Sequence, residues 1–120
     1  MIAVIFEAET TAEAQAEYLD LAAELKPLLA EIDGFLSIER FQSLTTPGRL
    51  LSLSFWRDEA AVAKWRALPE HRRAQAAGRD HVFASYRLRI AEVLRDYGMS
   101  DRNEAPADSR DFHAKGHQHV

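Results

Sequence analysis

The chain has 120 residues, no cysteine, and a formal net charge of −4 from 15 basic and 19 acidic side chains. That length suits one domain, which should bury roughly two thirds of its unfolded surface. A hydrophobic content of 47% excludes a disordered acidic chain, and the absence of Cys excludes a disulfide scaffold, a thiolate metal site, an iron–sulfur cluster and a cysteine nucleophile.

The negative balance gives no bulk attraction to phosphate backbones, so no nucleic-acid partner is expected. No apolar run approaches the roughly 18 residues of a membrane span, and Met1 to Glu9 lacks a basic leader, so no membrane partner and a cytoplasmic location are expected.

Met1 to Ala8 alternates, with Ile2, Val4, Phe6 and Ala8 on one side and Ala3, Ile5 and Glu7 on the other, which predicts a strand. Thr10 and Glu13 have capping-box spacing, and Tyr18, Leu21, Ala22, Leu25, Leu28, Leu29 and Ile32 then recur at helical intervals. Pro27 should kink or tighten the last turns of this helix, and Gly34 should stop it in a left-handed cap. Phe35 to Leu44 and Arg49 to Trp56 read as strands joined by the turn Thr45-Thr46-Pro47-Gly48, an antiparallel hairpin.

Asp58 can cap a helix whose Ala61, Val62, Trp65 and Leu68 share a face, and Pro69 suits the first turn of a second short helix carrying His71, Ala74 and Gln75 on one stripe. Gly78 is expected to break that helix, Asp80 to Ser85 to connect, and Tyr86 to Leu94 to alternate as a fourth strand. The order β-α-β-β-α-β predicts an α+β, ferredoxin-like fold with a four-stranded antiparallel sheet and helices on one face.

Strand one is apolar on both sides, and Phe35, Leu36, Ile38 and Phe41 add apolar groups, so the second sheet face needs a cover. A second copy of the same sheet is the expected cover, giving a twofold homodimer with a barrel-like interior. The domain is expected to span 1–97. Residues 98–120 turn polar and His-containing and are expected to form a flexible tail, with Pro106 opposing a continuous helix.

The stretch Leu53-Ser54-Phe55-Trp56-Arg57-Asp58-Glu59-Ala60, then Trp65-Arg66 and Pro69-Glu70-His71-Arg72, resembles the antibiotic biosynthesis monooxygenase (ABM) family of dimeric α/β barrels. Gly34-Phe35-Leu36 and Arg89-Ile90-Ala91-Glu92-Val93 fit the same family, over about residues 1 to 96. The resemblance implies the fold; the family's reactions range over cofactor-free quinone-forming monooxygenation, haem degradation and isomerisation. Its quinone-forming members suggest a site of Asn, Trp and Tyr: Trp65 matches the Trp, while Ala61 stands at the Asn position and His71 at the Tyr position. Its haem-degrading members carry an iron-ligating His where this chain has Gln75, and a strand-one Asn where it has Phe6 or Glu7, so haem ligation is not expected.

The residues themselves leave two readings open at each position. Trp65 is either a core residue or a pocket wall on which an aromatic ring can stack. His71 is either a surface histidine or a base able to take a phenolic proton at neutral pH, with Gln75 one turn below it. A phenolate can pass an electron to oxygen directly, so no cofactor and no metal are expected for oxidation of a small aromatic substrate.

Phe83 could cap a pocket as a mobile lid, with His81 beside it. Arg40 and Arg87 lie on strands, where a buried arginine needs a partner: Glu7, Glu39 and Glu92 offer structural ones, and an anionic substrate is the alternative for either. Lys64, Arg66, Arg72, Arg73 and Arg79 read as a solvated face, and His113, His117 and His119 as an adventitious metal-binding run. Catalysis by His71 and Trp65, with Trp65, Gln75, Phe83 and Arg40 as substrate contacts, is therefore the expectation, against a non-catalytic binding protein or a haem oxygenase.

Overall fold

A computed structural model describes residues 1–114. Strand β1 (Ile2–Thr10) is followed by helix α1 (Ala12–Ala30), strands β2 (Phe35–Gln42) and β3 (Arg49–Trp56), helices α2 (Glu59–Ala67) and α3 (Pro69–Ala77), and strand β4 (Phe83–Glu92). The sheet runs β2-β3-β1-β4 with every neighbouring pair antiparallel, which is the ferredoxin-like order.

The register sorts the strand residues onto two faces. Val4 lies opposite Ser54 and Ile90, Phe6 opposite Ser52 and Leu88, and Arg40 opposite Ser52. This is the face the helices cover: Leu29 of α1 and Ala61 and Val62 of α2 bury Trp56 against Ile2, Val4 and Ile38, while Tyr18 packs with Leu50, Val82 and Phe6. The other face carries Ile5, Leu51, Leu53 and Phe55, rimmed by the ion pairs Arg89–Glu7 at 3.2 Å and Arg49–Glu9 at 3.8 Å. Leu36 and Phe41 of β2 remain 53% and 42% exposed.

Local chemistry explains the boundaries. Helix α1 is capped by Thr11, one residue later than the spacing from Thr10 suggests: the Thr11 hydroxyl accepts from the Ala14 amide at 3.1 Å, and Thr10 instead continues β1 by donating its N–H to the Gly48 carbonyl. Pro27 is accommodated inside the helix, which then tightens at its end as Glu31 and Ile32 donate three residues back to Leu28 and Leu29. Asp58 caps α2 through the Ala61 amide, and Pro69 opens α3, where its missing N–H costs nothing.

Gly34 follows with φ +98°, and a Cβ there would sit 2.8 Å from the Ala61 Cβ. Gly34→Ala is expected to destabilise by about 2 kcal/mol, from the left-handed strain and the clash together. A lowered denaturant midpoint at an unchanged slope checks this.

Two expectations are corrected. Gly78 does not break the chain away from α3: it is helical (φ −59°, ψ −47°) and leads into a wide π turn, Gly78–Val82, because the turn seats Val82 in the core at 1% exposure. Strand β4 consequently begins at Phe83, three residues earlier than expected, pairing through Phe83 with Thr10 past a bulge at Ala84 in β4.

Beyond β4, helix α4 (Ala107–Ala114) starts directly after Pro106, whose position at a helix start is compatible with helix. Ahead of it Arg102 lies over the Tyr97 ring and donates to the Gly98 carbonyl and the Ser109 hydroxyl, and Glu104 accepts from the Asp96 amide. Among the described residues no helix is long and apolar enough to cross a membrane.

Candidate functional site

The central strand β3 has small polar side chains, Ser52 and Ser54, on the face beneath the helices, flanked by the large Leu50 and Trp56. Across from them α1 and α3 contribute Ala22 and Ala74. Small groups facing small groups leave space that a Leu or Phe would fill. The result is a cavity of about 210 Å³ between helices and sheet. Its mouth lies over the edge strand β4, where Tyr86, Leu88 and Ile90 line it yet stay 42%, 49% and 44% exposed.

The five residues expected to make up the site, Arg40, Trp65, His71, Gln75 and Phe83, all line this cavity. The tight turn between α2 and α3 brings Trp65, near the end of one helix, onto His71, in the first turn of the next. Their ring centroids are 4.6 Å apart with planes inclined by 43°. The His71 Nδ1 is buried and has no hydrogen-bond partner among the described residues. Burial holds this imidazole below its ordinary pKa; the Arg66 backbone partly opposes that, and the Arg66 and Arg72 charges reinforce it. At neutral pH His71 is therefore the uncharged, proton-accepting form.

Phe83 is a fixed wall rather than a lid. It is the first residue of β4 and meets the rings of Phe6, Tyr18 and Tyr86 at centroid distances of 5.4, 5.4 and 6.0 Å. Its ring rests on Gly78, where an added Cβ would come within 2.6 Å. Gln75 is exposed at the rim.

Arg40 does not find the carboxylate partners expected for it. Glu7 and Glu39 alternate onto the opposite sheet face, where Glu7 binds Arg89, and Glu92 ends β4 in register with Ile2. Instead the Arg40 Nε donates to the Tyr18 hydroxyl at 3.4 Å.

Sequence reading missed Tyr18, Ser52 and Ser54 as cavity residues. The signal was present in Leu51-Ser52-Leu53-Ser54-Phe55: its alternation puts the apolar side away from the helices and the serines beneath them. The Ser54 hydroxyl accepts from the Trp56 indole at 2.9 Å.

Other candidates fall outside the cavity. Ala61, at the position of the family's Asn, is 2% exposed and packs beneath Gly34. His81 is a surface clamp, 2.7 Å from Glu17 and 3.2 Å from Asp80, and its bonds to Glu17 and then Asp80 raise its pKa. Among the described residues no group of three or more His, Asp or Glu is placed to hold a metal ion; His117 and His119 lie outside the described residues.

Residues 1–77 match the family described as Antibiotic biosynthesis monooxygenase. Over 93 residues, 78% of this chain, the sequence is 47% identical to a Pyricularia oryzae protein named Jasmonate monooxygenase ABM, of which the match covers 43%. The chain thus spans less than half the length of that relative. It is 33% identical, over 79% of the relative, to an uncharacterized Bacillus subtilis protein, YqjZ. Among solved structures, Rv0793 of Mycobacterium tuberculosis superposes with a TM-score of 0.72 at 18% identity, covering 81% of this chain and 98% of that one. A Deinococcus radiodurans protein described as an antibiotic biosynthesis monooxygenase superposes at 0.74 and 20% identity, covering 82% and 98%. At such identities these two structures share the fold.

Proposed function

Because the chain belongs to the antibiotic biosynthesis monooxygenase family, we propose that it is a cofactor-independent monooxygenase acting on a small aromatic, phenolic or quinol-like molecule held in the cavity beside His71. The observation that carries this reading is the His71 imidazole packed against Trp65 in the wall of an apolar cavity. Trp65 supplies the stacking face and His71 takes the substrate's proton. The resulting anion gives electrons to O₂. When a ring CH₂ becomes a carbonyl, one oxygen atom enters the product and the other leaves as water, and the four electrons all come from the substrate. A cavity of about 210 Å³ suits one ring with a short substituent, by comparison with the roughly 150 Å³ void that holds benzene.

Oxygen uptake with a panel of hydroquinones, anthrones and jasmonate tests the reading, and turnover of no member refutes it. A second reading, a ligand-binding protein without turnover, is favoured by Ala61 at the family's Asn position, away from the cavity. Ligand binding without oxygen uptake would select it.

We also propose a homodimer formed through the sheet face opposite the helices, in the cytoplasm. Ile5, Leu51, Leu53, Phe55 and Phe41 form its apolar centre, and burying roughly 800 Å² per partner would take them from water. Sedimentation at micromolar concentration is expected to give twice 13.6 kDa. Leu53→Arg should shift it to the monomer, since an unpaired charge at the centre opposes association.

A further inference from the structure

We propose that the substrate of this site is a monocarboxylate: a ring-sized apolar body whose carboxylate is seated on Arg40. This rests on the cavity being the substrate site, as read above. Two observations carry it. First, Arg40 is an obligatory cation, half-buried on the cavity floor, whose only hydrogen bond among the described residues runs from Nε to the Tyr18 hydroxyl, at 3.4 Å. Both terminal nitrogens are left without a partner, and a guanidinium bound through Nε can still present them end-on to a carboxylate. Second, among the described residues the charged side chains that line the cavity are Arg40 and, at its exposed rim, Arg66, and neither Asp nor Glu lines it, although the chain as a whole carries −4. The lining of the cavity in an acidic protein thus carries cationic side chains and, among the described residues, no carboxylate.

The neighbours of Arg40 favour a carboxylate over a more highly charged anion. Arg40 is next to Ile38 on the same strand face, roughly 7 Å along β2, and Phe6 lies across β3 from it. Ser52, in register with Arg40, adds one hydroxyl that has no hydrogen-bond partner among the described residues. One cation and one or two hydroxyls match a singly charged, planar, two-oxygen group; a dianion would need further donors.

The test is calorimetric titration of the full chain with 3-phenylpropionate and with its neutral isostere 3-phenylpropionamide. The acid is expected to bind at least about tenfold tighter than the amide. Arg40→Gln should abolish that preference; Arg40→Lys, which keeps the charge without the fork, should retain part of it. Arg66→Gln should retain most of it.

Equal affinity for acid and amide, no binding of either, a preference that survives Arg40→Gln in a protein of unchanged circular dichroism, or loss of the preference in Arg66→Gln alone would each overturn the assignment. Should Arg40→Gln not fold, the Arg40→Lys and Arg66→Gln comparison decides it. Oxygen uptake separates the two readings. Uptake with neutral hydroquinones and no acid preference refutes the anchor and keeps the oxygenase; acid preference through Arg40 with no uptake on any substrate does the reverse.

Discussion

Trp56→Ala is expected to destabilise the domain by about 3–5 kcal/mol, a large part of the roughly 5–15 kcal/mol that holds a domain of this size together. Trp56 is 1% exposed at the end of β3, where α1 and α2 both close over the sheet through Leu29, Ala61 and Val62. Its ring meets Phe35 edge-on at 5.2 Å, and its indole N–H is satisfied by Ser54. Removing it opens a void beside an existing cavity and leaves the Ser54 hydroxyl without its donor. Urea unfolding followed by circular dichroism reads the effect; a loss below about 1.5 kcal/mol would mean that α2 collapses into the gap. Trp56→Phe keeps most of the volume and should cost clearly less.

His71→Ala is expected to lower the rate of oxygen uptake by about 10²-fold or more, the range in which a positioned base contributes. The pH dependence carries the sharper test. Burial lowers the His71 pKa below its usual value near 6.5, so the base form persists into mildly acidic solution. The acid limb of kcat/KM should therefore fall at a pH below 6.5, and in the Ala variant that limb should vanish.

Stability follows the same sign. The unfolded chain takes up the His71 proton first as pH falls, so the contribution of this group is present above about pH 6.5 and is lost as pH drops through the lowered folded value. A rate that declines already above pH 7 would assign the proton transfer to another group.

Much of this architecture was legible as periodicity. The strands alternate with period two, α1 repeats at three and four residues, and Asp58, Pro69 and Gly34 each perform a boundary function that follows from their own covalent geometry. The errors came where tertiary packing overrules local preference. Gly78 stays helical because the π turn after it delivers Val82 to the core, and Phe83 becomes a wall because that same turn starts β4 early.

The cavity belongs to a different order of information. That Trp65 and His71 lie close follows from a short turn between two helices, and their proximity could be anticipated from six residues of sequence. That Tyr18 of α1, Arg40 of β2 and Ser52 of β3 meet depends on how an antiparallel register aligns strands distant in the chain and on how α1 crosses them. Arg40 illustrates the difference. Its charge and its place on a strand are properties of the residue and its neighbours. Whether it faces Glu7 or the cavity turns on the face to which the pleat directs it. The whole sheet sets that choice by burying Val4, Ile38 and Trp56 beneath the helices, so residues far from position 40 decide that Arg40 lines a cavity to which, among the described residues, no carboxylate contributes.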